Sequence, residues 1–169
     1  MSQGPGDTPH VIPVFVVLPP QTLLLDVAGP LEVLRYANEQ QKKIRFDCRY
    51  IAAQPNQTTT IGLGLCGLEP LPDVLPAHAM ILISGSSSMA PQQLEASKER
   101  RALSDWLRRT VRPDTTIVSI CSGALIAAEA GLFDGRSCTT HAHCIADLKR
   151  IAPLALVQEN RLFVEDGKR

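Results

Sequence analysis

Three largely apolar runs constrain the fold of this chain more than any other feature of its sequence. They span Val11–Leu18, broken only by Pro13, then Ala79–Ile83, and then Thr115–Ile120. Each run is far shorter than the roughly 20 apolar residues that a membrane-spanning helix needs. Runs of this length are typical of strands that are buried on both faces of a parallel sheet. We therefore expect three adjacent, parallel strands in one sheet and no membrane segment.

Segments with helical spacing alternate with these runs. Leu31, Leu34 and Ala37 predict a helix with Pro30 in its first turn, where a proline loses no hydrogen bond. Further helices are predicted over 91–111, over Ser122–Ala130 and over Cys144–Ile151. Additional strands are predicted over Phe46–Ala53 and Leu162–Val164, with short strands and turns between Gln54 and Leu75. This alternation predicts an α/β fold with a mostly parallel central sheet covered on both faces.

Composition restricts the class of protein. The 169 residues are the length of one domain, and the 44% apolar content is that of a globular one. The 17 basic side chains are balanced by 17 acidic ones, which argues against a nucleic-acid-binding surface. Residues 1–10 lack the apolar stretch of a signal peptide and are expected to form a disordered tail. Five cysteines without a secretion signal favour reduced thiols in the cytoplasm.

The last residues predict that the chain is part of a longer protein. Asp166-Gly167 follows an apolar segment, which is a strong hairpin signal, yet only Lys168 and Arg169 come after it. The strand that would complete the hairpin is absent from the sequence. We expect the domain, residues 11–169, to stop short of its last elements.

Cys121 is the strongest candidate for a functional residue. It lies directly between a predicted buried strand and a helix that begins with small residues, the arrangement of a nucleophile elbow. The N–H groups at the start of that helix are expected to lower the pKa of the thiol and to stabilise an oxyanion. Ser122 and Gly123 are small enough for a ligand to approach the backbone. The alternative is a buried structural cysteine at the end of a strand.

Two other positions are candidates for the same site. Gly85 and Ser86 follow the second apolar run, and an N–H of either residue could complete an oxyanion hole beside Cys121. The alternative there is an ordinary flexible loop. Asp26 is a lone carboxylate in an apolar setting, so it is either a helix cap or a group that bonds the Cys121 thiol or a ligand. Glu32, on the same predicted helix, is the alternative acid.

A cluster of cysteine and histidine residues at Cys138, His141, His143 and Cys144 raises the question of a metal. Its spacing lacks the paired form of structural zinc sites, so we expect no metal here and no cofactor elsewhere. We expect His141 to act instead as a base or as a ligand contact near Cys121.

Several segments together resemble a known family. They are Leu25–Leu34 with Ala37-Asn38, Ser119–Ala124, Glu129–Arg136, Thr139–His141 and Phe163–Gly167. They are similar to the DJ-1/PfpI branch of the class I glutamine amidotransferase-like superfamily, and most similar to the N-terminal domain of AraC-type transcriptional regulators. The resemblance covers nearly all of residues 11–169, and its most specific block runs from Cys121 to His141.

The resemblance implies a flavodoxin-like three-layer sandwich that forms a homodimer. It implies a non-catalytic domain that binds a small-molecule effector near Cys121 and reaches DNA only through a C-terminal helix-turn-helix domain absent from this sequence. The alternative is a cysteine enzyme similar to isocyanide hydratases, in which Asp26 would manage the proton. Departures from the family are Ser122, where its peptidases have histidine, and Ala142, where its regulators usually have tryptophan. The Gly-Gly loop of the family appears here as Gly85-Ser86.

Overall fold

The central sheet contains the three predicted strands side by side. The structure is a computed structural model, and it describes residues 8–87 and 94–168, with 94–97 as backbone only. Strands β1 (His10–Val17), β2 (Ile44–Ile51), β5 (Met80–Ile83) and β6 (Thr116–Ser119) form one parallel sheet in the order β2-β1-β5-β6. The prediction of three adjacent, parallel strands is confirmed. The predicted tail covers residues 1–10, but His10 already pairs with Ile44 in the sheet. Residues 1–7 lie outside the described part.

Helices cover both faces of this sheet, which confirms the three-layer α/β sandwich. The α-helices of the described residues are α1 (Leu24–Gln40), α2 (Leu94–Thr110), α3 (Gly123–Glu129) and α4 (Ile145–Ile151). On one face, alternate strand residues such as Phe15 and Ile81 pack with α2, α3 and α4 in the larger core cluster. On the other face, Val14 and Val16 pack with Val27 of α1 in a second cluster. The alternation of side chains along each strand divides the core in this way.

Helix α1 begins six residues earlier than predicted. Its N-cap is Leu23, and Pro30 lies inside the helix. A proline there removes the N–H that would bond the carbonyl of Asp26. Packing of Val27 against the sheet supports the extra turn and a half at the start of the helix. Tertiary contact therefore overrides the local signal from the proline.

Helix α2 is confirmed where the structure describes it, although its buried face differs in detail. Leu103, Trp106 and Leu107 are buried as expected, whereas Ala102 is exposed. Thr110 is buried, and its hydroxyl donates to the carbonyl of Trp106 at 2.8 Å. The predicted start at 91 and the side chain of residue 94 lie outside the described part.

Small elements complete the chain. They are the antiparallel pair β3 (Asn56–Thr58) and β4 (Gly64–Cys66), the parallel pair β7 (Ser137–Cys138) and β8 (Leu156–Val157), and a 3-10 turn at Ala142–Cys144. The prediction of a strand at Leu162–Val164 is wrong. Leu162 and Phe163 are exposed, and the segment belongs to none of the sheets in the described residues. Further along the chain, the N–H of Ile117 in β6 donates to the carbonyl of Lys168. No helix in the described ranges has the length and apolar content needed to cross a bilayer.

Gly123 fixes the distance between α3 and the sheet. A Cβ added there would overlap the carbonyl oxygen of Ile83 and lie 2.8 Å from that of Ser84. Both obstacles are backbone atoms, so they cannot move aside without shifting β5.

We therefore expect Gly123→Ala to lower the free energy of unfolding by about 1–3 kcal/mol, as overpacking typically does. Urea denaturation monitored by circular dichroism measures the change. The matched control is Gly64→Ala, where an added Cβ has nothing within 4 Å. Equal stability of the two variants would contradict this account of the α3 contact.

Candidate functional site

Cys121 lies at the carboxyl end of β6 on a strained turn. Its φ is +53°, a conformation that residues with a side chain rarely adopt. The backbone on both sides is held: Ile120 N–H donates to Ile83 O at 2.9 Å, and Thr140 Oγ1 donates to Cys121 O at 2.8 Å. Helix α3 begins two residues later. The strand–turn–helix geometry of a nucleophile elbow is therefore confirmed.

Asp26 comes to the same place from the first turn of α1. Its Oδ2 accepts the N–H of Gly85 at 3.1 Å, and the same carboxylate lies close enough to the Cys121 thiol to raise the pKa of that thiol. The N-cap is Leu23, so the interpretation of Asp26 as a helix cap is wrong. Glu32 is not in this group, because it is exposed and pairs with Arg35 at 2.7 Å.

The pKa values at this pair differ from the expectation for Cys121. Burial raises the pKa of the Cys121 thiol, the N–H of Ser122 opposes the rise, and the charge of Asp26 adds to it. Burial also raises the pKa of Asp26, against the bonds from Gly85 and Cys121 and the charge of His141. The prediction that the helix start would favour a thiolate is wrong, since desolvation outweighs one N–H. The pKa of each group is higher in the folded protein than in the unfolded chain. Each therefore stabilises the fold at low pH, and this stabilisation is lost as the pH rises through the raised pKa.

The loop after β5 is locked by side chains. Ser86 N–H donates to Ser122 Oγ at 2.8 Å, and Ser122 Oγ–H donates to Ser86 O at 2.9 Å. Gly85 N–H is taken by Asp26. Both N–H groups that were candidates for an oxyanion hole thus have acceptors within the protein. Ser122 is expected from its small size to leave room for a ligand. In the structure it is instead buried, and its hydroxyl holds this loop through two hydrogen bonds.

Gly85 allows the three parts of the site to touch. A Cβ at this position would overlap Asp26 Oδ2 and lie 3.0 Å from both the Cys121 Cβ and Leu23 Cδ1. The absence of a side chain is therefore what brings α1, the β5 loop and the elbow into contact.

His141 is close to the site without being bonded to the thiol. It is exposed, its Nδ1 accepts the N–H of His143 at 3.3 Å, and its charge lowers the pKa of Asp26. Cys138 and Cys144 are buried free thiols. Within the described residues, no three or more histidine, cysteine or acidic side chains come together in a way that could hold a metal ion.

Two cavities open on either side of the pair. One, of about 630 Å³, runs from β6 and Cys121 past Thr140 and His141 to the segment around Phe163. The other, of about 500 Å³, is lined by Asp26 and by apolar side chains of α1 and of the β3–β4 turn. Volumes of 300–1,000 Å³ are typical of sites for small molecules.

Sequence reasoning missed the polar residues that support the site. Thr22 and Ser84 are fully buried and hydrogen-bond to each other, and Thr22 Oγ1 also donates to Gly85 O at 3.3 Å. Thr140 holds the carbonyl of the strained cysteine. The sequence did carry a signal for these residues, because they are polar and lie within or next to apolar strands. A hydroxyl buried there requires a hydrogen-bond partner, which indicates a structural role.

Solved structures with the same fold include an AraC family transcriptional regulator from Pseudomonas putida. It has a TM-score of 0.62 and 17% identity, over 90% of this chain and 80% of that one. A ThiJ/PfpI family protein from Pseudomonas syringae has a TM-score of 0.70 and 20% identity, over 100% of this chain and 66% of that one. At these identities the likeness shows the fold alone.

Among curated proteins, the chain is similar to two HTH-type transcriptional regulators of Pseudomonas aeruginosa. It is 25% identical to GbdR over 150 residues, 86% of this chain and 38% of the relative. It is 42% identical to CdhR over 69 residues, 40% of this chain and 20% of the relative. The chain therefore spans well under half the length of these relatives. The DJ-1/PfpI family model matches residues 13–168, and with the strained cysteine and its carboxylate in place we conclude that the chain belongs to the DJ-1/PfpI family.

Proposed function

We propose that this chain is the effector-sensing and dimerisation domain of an AraC-type transcriptional regulator. A small metabolite would bind beside Cys121, and a helix-turn-helix domain elsewhere in the protein would contact DNA. The similarity to two HTH-type regulators, which are much longer than this chain, supports the class. Its equal numbers of basic and acidic side chains are consistent with a domain that does not itself bind DNA.

The observation that carries this proposal is the state of the polar groups around Cys121. A nucleophilic cysteine needs a thiolate and free N–H donors for the developing oxyanion. Here the pKa of the thiol is raised, and the N–H groups of Gly85 and Ser86 are already bonded. Both N–H groups of the loop after β5 are therefore occupied, and the cavity beside Cys121 has the size of a small-molecule binding site.

The cavity beside Cys121 offers mixed chemistry to a ligand. Thr140 and His141 supply polar groups on one side, and Val118 and Phe163 supply apolar surface on the other. Such a lining suits a small molecule with one apolar part and one or two polar groups.

One contact favours a second candidate function, a cysteine enzyme similar to isocyanide hydratases. The Asp26 carboxylate lies beside Cys121 at the Gly85 position, where it could accept the thiol proton. As the sulfur forms a bond to an electrophilic carbon, the carboxylate would take the thiol proton and return it to that carbon. Water would then add to the same carbon, the C–S bond would break, and a proton from the water would restore the thiol. The thiol would then react without a free thiolate in the resting state.

The pH dependence of Cys121 alkylation tests the coupling in this pair. Asp26→Asn removes the negative charge and the carboxylate acceptor, both of which raise the pKa of Cys121. We expect a lower thiol pKa and an alkylation rate by iodoacetamide near pH 8 that is about two- to tenfold higher. Site-resolved mass spectrometry measures the rate, and exposed Cys66 serves as the internal control. The same acceleration in Asp134→Asn, or none in Asp26→Asn, would contradict the proposed contact.

Effector binding is tested by protection of the same thiol. We expect one member of a panel of amino acids, amines and small carboxylates to slow alkylation of Cys121 and to leave Cys66 unaffected. At a hundredfold excess over its Kd it should stabilise the fold by about 2.7 kcal/mol, or several degrees in Tm. Chromatography of the recovered compound decides between the candidates. An unchanged compound supports sensing, and conversion that depends on Cys121 supports the enzyme.

A further inference from the structure

Glu99 is a half-buried carboxylate on the inner face of α2. It precedes Leu103 by four residues and Trp106 by seven, so the helical repeat places it on the same side of α2 as these buried residues. A carboxylate on such a face is normally paired with a cation, because removing its charge from water is costly. Asp105, on the other side of the same helix, has an arginine partner at 2.7 Å. Glu99 has no cation partner among the described residues.

One side chain holds the Glu99 carboxylate in place. Gln57 of β3 is buried, and its Nε2 donates to Glu99 Oε2 at 2.7 Å. This is the one hydrogen bond that the carboxylate makes within the part of the chain that the structure describes. A neutral amide donor orients a carboxylate but leaves its charge uncompensated. The second oxygen, Oε1, is therefore available to a cation.

A cavity of about 580 Å³ opens at this carboxylate. It is lined by β3, β4, Pro20, Gln21 and Glu99, and we call it the hairpin pocket. Among the described residues that line it, Glu99 alone is charged, and the others offer amide, hydroxyl, thiol and apolar groups. The volume is within the range typical of sites for small molecules.

We propose that the hairpin pocket binds a small organic cation, with an ammonium or guanidinium group on Glu99. The N–H groups of such a cation would donate charge-assisted hydrogen bonds to Oε1. The amide groups of Gln21 and Asn56 offer further hydrogen bonds, and Pro20 and Leu65 offer contact to an apolar part of the ligand. An anion would be repelled by the carboxylate, and a neutral ligand would leave its charge uncompensated.

The hairpin pocket is separate from the two cavities beside Cys121, and it shares no lining residue with them. Two of its lining residues are nevertheless hydrogen-bonded to the loop after β5. Ser86 Oγ–H donates to the carbonyl of Pro20, and Ser87 N–H donates to that of Gln21 at 3.1 Å. A cation in this pocket would therefore contact the segment that supports the loop of the candidate site. The inference goes beyond the proposed function, since it concerns a second ligand.

Three compounds with the same ring and different charges test the preference for a cation. They are benzylammonium, benzyl alcohol and benzoate. Cys66 is exposed and lines the hairpin pocket, so its alkylation by iodoacetamide reports whether the pocket is occupied. At millimolar concentrations and equal ionic strength, we expect benzylammonium to slow this alkylation about threefold or more, and the other two compounds to have little effect. Cys121, which lies outside the pocket, is the internal control.

Two variants of α2 test the contact with Glu99. Glu99→Gln removes the charge but keeps an oxygen that can accept the hydrogen bond from Gln57. We expect it to raise the half-protecting concentration of benzylammonium about tenfold or more, because the hydrogen bond to the ligand loses its charge assistance. The matched control is Asp105→Asn, which removes one negative charge from the same helix outside the pocket, and we expect no change. Circular dichroism checks that both variants are folded.

Three results would overturn the proposal. They are equal protection of Cys66 by all three compounds, no protection by benzylammonium, and a Glu99→Gln variant that responds as Asp105→Asn does. Protection of Cys121 alone would also overturn it, because the cation would then lie at Asp26. The proposed function has a different readout, protection of Cys121 by the metabolite panel, so the two can fail separately. Protection of Cys66 that depends on Glu99 supports the hairpin pocket even where no panel compound protects Cys121.

Discussion

The carboxylate of Asp26 is the interaction on which the candidate site depends. It joins three segments that are far apart in the sequence: the first turn of α1, the loop after β5 through Gly85, and the elbow through Cys121. Burial of a carboxylate is costly unless hydrogen bonds compensate for the lost water. The N–H of Gly85 and the thiol of Cys121 supply that compensation, yet burial remains the larger effect, because the pKa of Asp26 is raised. The arrangement therefore holds the carboxyl and the thiol side by side with the pKa of both groups raised.

Around this carboxylate the backbone is packed as closely as it can be. Gly85 and Gly123 both lie where a Cβ would overlap neighbouring atoms, and the neighbours are the acid in one case and strand carbonyls in the other. Cys121 itself has a positive φ, and the hydroxyl of Thr140 holds its carbonyl. Strain of this kind persists only where the surroundings over-determine the conformation. The ends of β5 and β6 provide that constraint, because the N–H of Ile120 donates to the carbonyl of Ile83 directly before the cysteine.

Much of the fold could be predicted from the sequence, because buried parallel strands are apolar throughout and appear as runs. The elbow could be predicted too, since Cys121 lies directly between such a run and a helix of small residues. The start of α1 could not, because packing of Val27 outweighs the signal of Pro30. The strand predicted at Leu162–Val164 failed because an apolar run forms a strand only beside a partner, and those side chains are exposed here. The direction of the Cys121 pKa depended on burial and on Asp26, and neither is visible in local sequence.

Helix α1 connects the two proposed roles of the domain physically. Its first turn holds Asp26 beside the thiol, and the neighbouring Leu25 lies on its exposed outer face. In the proposed function, a ligand that bonds to the Asp26 carboxylate would compete with the N–H of Gly85, the bond that joins the start of this helix to the β5 loop. Coupling between a ligand and a dimer can be no larger than the difference in ligand affinity between the two states of the interface. For the proposed function, a ligand contact at the first turn of α1 would supply such a difference only through a dimer contact that the same helix makes.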